Sequence, residues 1–125
     1  MRAAYAIAPE EARSGMSYAV SKGFVKWYTS SQAERFNTRG LRIVSVSPPG
    51  SVDTEMGKLE ADAGAGAMVA DFAVPPRWGK AEEMAELFAF CASDRAGYLT
   101  GTDILNDGGV VASMRERVRA AAEKA

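Results

Sequence analysis

Tyr18 and Lys22, four residues apart in Ser17-Tyr18-Ala19-Val20-Ser21-Lys22, are the pair in this chain whose types and spacing could do chemistry. On a helix that spacing sets two side chains on one face, about one turn apart. A cation held beside a phenol favours the phenolate. A phenol so tuned can pass a proton to or from a carbonyl or alcohol oxygen near neutral pH. The 125 residues contain no histidine and a single cysteine, Cys91. They therefore hold no histidine-based triad and no His-ligated metal, and one cysteine holds neither zinc nor an iron–sulfur cluster. Chemistry here must use Tyr, Lys, Ser, Thr, Asp or Glu. The plain competitor is an amphipathic tyrosine at a core boundary beside a solvated lysine, and the elements around the pair decide between the two.

Those elements alternate. Residues 1–15 have no clean period and read as a loop punctuated by Pro9 and Gly15. From Met16 to about Thr38, Val20, Phe24, Trp27, Tyr28 and Ser31 recur at helical spacing and predict one buried stripe. Gly40 supplies a helix stop. Leu41–Ser47 is short and β-branched and reads as a strand, ended by Pro48-Pro49-Gly50. Residues 51–78 are loop-like, with room for one short helix between Met56 and Val69. A second helix is predicted from about Lys80 to Ala92, with Met84, Leu87, Phe88 and Cys91 on its buried stripe and Glu82 and Glu83 in its first turn. Thr102–Asn106 reads as a last strand stopped by Gly108-Gly109, and the tail from about Ala112 reads as helical.

Composition is that of one globular domain, with 47% apolar and 25% charged residues and a net charge of −1. No basic footprint of a nucleic-acid binder is present. No apolar run reaches 18 residues, so no membrane span is expected. A lone cysteine forms no internal disulfide, which suits a reducing cytoplasm. Helix, strand, loop, helix, strand implies parallel pairing through right-handed crossovers. Two strands are few for a parallel sheet, which is normally covered on both faces. The expected fold is therefore α/β, one half of a doubly wound parallel sheet.

The residues then point to a family. The chain resembles the C-terminal half of the short-chain dehydrogenase/reductases, Rossmann-type oxidoreductases that use NAD or NADP. Four landmarks stand in that family's order: Tyr18-x-x-x-Lys22; Pro49-Gly50-Ser51-Val52-Asp53-Thr54; Arg77-Trp78-Gly79-Lys80-Ala81-Glu82-Glu83-Met84; and Tyr98-Leu99-Thr100-Gly101 leading to Asp107-Gly108-Gly109. The resemblance covers about residues 14–111 of a partial domain spanning 1–125, with 112–125 as a C-terminal tail. It implies that Tyr18 is the general acid/base and that Lys22 tunes the phenol and bonds the nicotinamide ribose. It further implies that Pro49, Gly50 and Val52 form the turn meeting the nicotinamide end of the cofactor, with the Val52 backbone and the Thr54 hydroxyl close by. A Pro-Gly turn leaving a strand's C-terminal edge suits this, because open α/β sheets bind ligands in that crevice. For Thr54 a helix N-cap before Glu55 is nearly as good a reading as a cofactor contact. Ser21 reads as packing, and Cys91 as a small hydrophobe.

Other family features have no counterpart. Ser14 and Ser17 lie too close to Tyr18 to serve as the family's catalytic serine, and its commonest offset holds Tyr5, a phenol. No G-x-G-x-x-G loop opens a βα unit, and Gly64-Ala65-Gly66 is not a phosphate loop. The expectation is a portion of an enzyme that interconverts a carbonyl and a secondary alcohol, acts on a small molecule, self-associates and is inactive as this chain alone. The alternative is a non-catalytic half-fold serving as an oligomerisation or interaction module.

Overall fold

A computed structural model describes residues 9–48, 50, 52–62 and 71–124. Pro49, Tyr5 and Gly64-Ala65-Gly66 lie outside them. In chain order the elements are α1 (Glu10–Ser31), α2 (Ala33–Asn37), β1 (Val44–Ser47), α3 (Glu55–Asp62), α4 (Ala81–Ala92), a 3-10 turn (Asp94–Ala96), β2 (Thr102–Leu105) and α5 (Val110–Ala122). The strands form a two-stranded sheet. Gly101 N–H donates to the Ile43 carbonyl at 2.7 Å and Asn106 N–H to that of Ser47 at 3.0 Å. Residue numbers rise together along both strands, so the pair is parallel, as the alternation of elements predicts. The described residues divide into two compact units, one within 1–45 and 98–103, the other within 46–97 and 104–125.

In the first unit α1 starts at Glu10, earlier than the sequence predicts, with Pro9 at its N-cap. Proline suits a helix start, where a missing N–H costs nothing. Gly15 lies inside the helix, where a Cβ would meet nothing within 4 Å; the glycine is not a breaker here. The helix gives way at Gln32. Just before it, Thr29 donates to the Val25 carbonyl at 2.9 Å, Ser30 to Trp27 at 3.0 Å and Ser31 to Tyr28 at 3.1 Å. Hydroxyls that back-bond in this way bend and weaken helices.

The predicted buried stripe of α1 is not buried. Val20, Phe24, Trp27 and Tyr28 are exposed, Trp27 to 59%, and so is Ser31. Among the described side chains of that helix Thr29, at 3%, is the buried one. Periodicity identified the apolar face correctly, but no described element covers it. The aromatics pack on one another instead, with Phe24 centroids 5.5 Å from Trp27 and 5.9 Å from Tyr28. What ties α1 to the strands is polar. Asp103 on β2 accepts from Ser45 of β1 at 2.7 Å and pairs with Lys26 of α1 at 3.2 Å. The Tyr98-Leu99-Thr100-Gly101 landmark closes this unit: Arg42 donates to the Leu99 carbonyl at 3.2 Å and Ile43 N–H to the Thr100 hydroxyl at 3.1 Å. Gly101 is required twice, by its φ of +68° and because a Cβ would stand 2.8 Å from the Ala33 methyl.

In the second unit α4 spans the predicted residues, with Cys91 buried, but Phe88 is 55% exposed and leaves the expected stripe. The strands are shorter than predicted. The helical tail is present as α5, anchored by the Asp107-Gly108-Gly109 landmark. Asp107, 8% exposed, accepts Gly109 N–H at 2.9 Å on one carboxylate oxygen and Val111 N–H at 2.8 Å on the other. These donors at a helix start have no intrahelical partner. Asp107→Ala leaves them unpaired and is expected to destabilise the chain by about 2 kcal/mol, with Asp107→Asn, which keeps one acceptor, costing less. Urea unfolding followed by circular dichroism measures both; equal midpoints for wild type and Asp107→Ala would refute the anchor.

Candidate active site

In the first unit α1 presents Tyr18 and Lys22 together. Tyr18 is 63% exposed, and the Lys22 Nζ sits 5.2 Å from its ring centroid, a cation–π contact. Both residues are exposed. Ser21 between them is occupied locally, its hydroxyl donating to the Tyr18 carbonyl at 2.7 Å. Ser21 is exposed, so it does not take the packing role expected of it. Ser17 is exposed one residue before Tyr18, and the Ser14 side chain lies outside the description.

The second unit holds the turn after β1. Gly50 is exposed there. Val52 makes an isolated parallel bridge with Gly79, and Asp53 N–H donates to the Gly79 carbonyl at 2.8 Å. Thr54 precedes α3 as its N-cap: Gly57 N–H donates to the Thr54 Oγ1 at 3.1 Å. A Cβ on Gly57 would lie 2.1 Å from the Val52 carbonyl oxygen, so only glycine lets this helix start close over the turn. The capping role of Thr54 is thus realised. It uses the hydroxyl as an acceptor and leaves its proton free to donate.

The second unit also joins two residues of its Arg77–Met84 landmark through their side chains. Arg77 grips the Glu83 carboxylate with both terminal nitrogens, at 2.8 and 2.6 Å, and donates to the Trp78 carbonyl at 3.0 Å. The same carboxylate accepts Lys80 N–H at 2.8 Å, closing the start of α4. No helical spacing rule joins residues six apart across a helix boundary, which is why the pair is not legible from periodicity. A cleft of about 180 Å³ adjoins it, lined among others by Val52, Ala73, Lys80, Met84, Asn106 and Gly108. Among the described residues no group of three or more Cys, Asp or Glu could hold a metal, and no helix is long and apolar enough to cross a membrane.

The chain is similar to known proteins in sequence and in fold. Residues 3–111 match the family described as Enoyl-(Acyl carrier protein) reductase. The 3-oxoacyl-(acyl-carrier-protein) reductase FabG of Haemophilus influenzae is 35% identical over 98 residues, covering 78% of this chain and 39% of its own length. A putative 2-deoxy-D-gluconate 3-dehydrogenase of Agrobacterium tumefaciens, solved with bound NADP, superposes with a TM-score of 0.69 at 28% identity, over 77% of this chain and 39% of that one. A 4-hydroxyisoleucine dehydrogenase complexed with NADH gives 0.69 at 26%, over 78% and 40%. The chain belongs to the short-chain dehydrogenase/reductase family, and its fold is part of the family's Rossmann-type α/β sheet. It spans about two fifths of the length of the relatives it matches.

The Arg77–Glu83 fork has a measurable electrostatic signature. Hydrogen bonds from Arg77, and then from the Lys80 N–H, hold the Glu83 carboxyl down from the ordinary 4.5 to about 2. A folded value below the unfolded one means that the contribution to stability is present above the unfolded value and lost as pH falls through about 2. The pair faces solvent, so titration rather than unfolding is the sensitive readout. The carboxyl carbon of Glu83 is expected to titrate near pH 2 in the wild-type chain and to return towards 4.5 in Arg77→Ala. Identical NMR titration curves would show that the fork does not persist in solution.

Proposed function

We propose that this chain is the catalytic portion of an NAD- or NADP-dependent oxidoreductase that interconverts a carbonyl and a secondary alcohol of a small molecule. The observation that carries the reading is the Lys22 ammonium over the Tyr18 ring on the exposed face of α1, in a chain of this family. When bound, the nicotinamide cofactor supplies the hydride for reduction or takes it in oxidation. In reduction the Tyr18 hydroxyl gives its proton to the carbonyl oxygen as that oxygen gains negative charge; in oxidation the phenolate takes the alcohol proton. Lys22 stabilises the phenolate and donates to the nicotinamide ribose. The turn through Pro49, Gly50 and Val52, with the Thr54 hydroxyl proton, holds the carboxamide end. The donor set supports that fit. Lys22 offers ammonium protons in the open, Thr54 retains its O–H after capping α3, and Gly50 adds no side chain. Residues 1–125 act as one partial domain, 14–111 carrying the motifs and 112–125 the tail, and the lone cysteine supports a cytoplasmic location.

A second reading rests on a separate observation. Phe24, Val25, Trp27 and Tyr28 leave a broad apolar face of α1 exposed, a surface suited to another chain. A non-catalytic interaction module would use that face alone; an enzyme would use it to form a homo-oligomer, most simply about a twofold axis.

In a polypeptide that binds the cofactor, Tyr18→Phe should lower kcat by about 10²–10⁴-fold with an unchanged circular dichroism spectrum, and Lys22→Ala should both raise the cofactor Kd and lower kcat. Full turnover in Tyr18→Phe would sink the catalytic reading, and normal cofactor affinity in Lys22→Ala would remove that lysine's double role. Sedimentation at micromolar concentration is expected to show self-association that Trp27→Lys abolishes. A monodisperse wild-type monomer would contradict the apolar face as an interface.

A further inference from the structure

The Arg77–Glu83 fork stands beside the turn that carries Val52, and we infer that Arg77 and Glu83 are positioning residues for the Val52–Thr54 turn, acting through Lys80 and Gly79. Each link is short. Arg77 holds both oxygens of the Glu83 carboxylate, at 2.8 and 2.6 Å. Glu83 holds the Lys80 N–H at 2.8 Å. That N–H belongs to the peptide joining Gly79 to Lys80, so the carboxylate fixes the plane in which the Gly79 carbonyl lies. The Gly79 carbonyl accepts Asp53 N–H at 2.8 Å, and Gly79 bridges Val52. Beyond Asp53 the order continues inward: Thr54 N–H donates to the Val52 carbonyl at 2.8 Å, and Thr54 caps α3 through Gly57.

The chemistry suits a positioning role better than binding or surface stabilisation. Both terminal nitrogens of Arg77 are already committed to Glu83, and one also serves the Trp78 carbonyl, so the guanidinium is poorly placed to take up an anion. A two-point fork between planar groups fixes orientation as well as distance, which a lysine's point charge would not. An isolated exposed ion pair contributes little to global stability. Its effect here is local, on a segment that the Val52–Gly79 bridge and the Asp53–Gly79 hydrogen bond tie to the start of α4. The consequence for cofactor binding rests on the reading of this turn given above; the positioning itself does not.

Amide hydrogen exchange on the full 125-residue chain without cofactor separates the two. Glu83→Ala, which removes both the fork and the acceptor for Lys80 N–H, is expected to raise the exchange rates of Asp53 and Thr54 by about fivefold or more, while Val111, held by Asp107, stays at its wild-type rate. Arg77→Lys should fall between the two. The charge-swapped pair R77E/E83R re-forms an ion pair but gives Lys80 no acceptor at position 83, so Asp53 should remain unprotected. Unchanged Asp53 and Thr54 exchange in Glu83→Ala would overturn the inference, as would full recovery in the swapped pair. Equal acceleration of Val111 would overturn it too, because the fork would then be a global stabiliser. In the cofactor-binding polypeptide the same Glu83→Ala should raise the cofactor KM with kcat nearly kept, the opposite split from Tyr18→Phe. Failure of that split with altered exchange would fault the cofactor role of the turn, and unaltered exchange would fault the positioning.

Discussion

Parallel pairing of β1 with β2 is the constraint on which the rest depends. Parallel neighbours cannot be joined by a tight turn, so the chain must leave the sheet, cross and return before the second strand begins. Here Ser45 meets Asp103 across 58 positions of sequence. Pairing in this sense also puts both C-terminal strand ends at one edge. The turn through Val52 and Thr54 follows one end and the Asn106–Gly109 segment follows the other. Within the second unit Val52, Asn106 and Gly108 therefore line one cleft despite their distance in sequence.

Polar contacts do much of the fastening. Among the described residues the buried apolar side chains are small, Cys91, Ala96 and Val110, while the large ones of α1 and Phe88 of α4 face outward. Asp103 joins α1, β1 and β2 through Lys26 and Ser45, and Asp107 starts α5 by taking two backbone donors. Burial of a carboxylate is tolerated because each oxygen has a donor. Such joints fix direction closely but do not replace apolar burial as a source of stability.

A helix and a turn hold the residues on which the proposed function rests. The regular backbone of α1 keeps Tyr18 and Lys22 one turn apart. In the other unit the turn through Val52 carries few large side chains, so its backbone is open to close approach. A turn gains such closeness at the expense of order, and the second unit restores order with a bridge at Gly79 and a fork at Glu83.

Much of this was legible in the residues. Spacing alone sets Tyr18 and Lys22 on one helical face, because an α-helix has a fixed period. Strand composition, the glycine at 101 and the family landmarks define the parallel α/β arrangement for the same local reason: backbone preference and pattern are carried by neighbouring residues. Side-chain pattern also marked the apolar face of α1, but pattern cannot say what covers a face, and only the tertiary structure shows Phe24, Trp27 and Tyr28 standing exposed with Thr29 buried. The start of α1 at Glu10 was hidden because Pro9 and Gly15 each have two uses, as breakers and as a helix start and an uncrowded helical position. The Arg77–Glu83 fork, the Asp103 junction and the double acceptance at Asp107 were likewise left to tertiary structure. Each joins groups by distance and angle across a boundary between elements, and no local period encodes that.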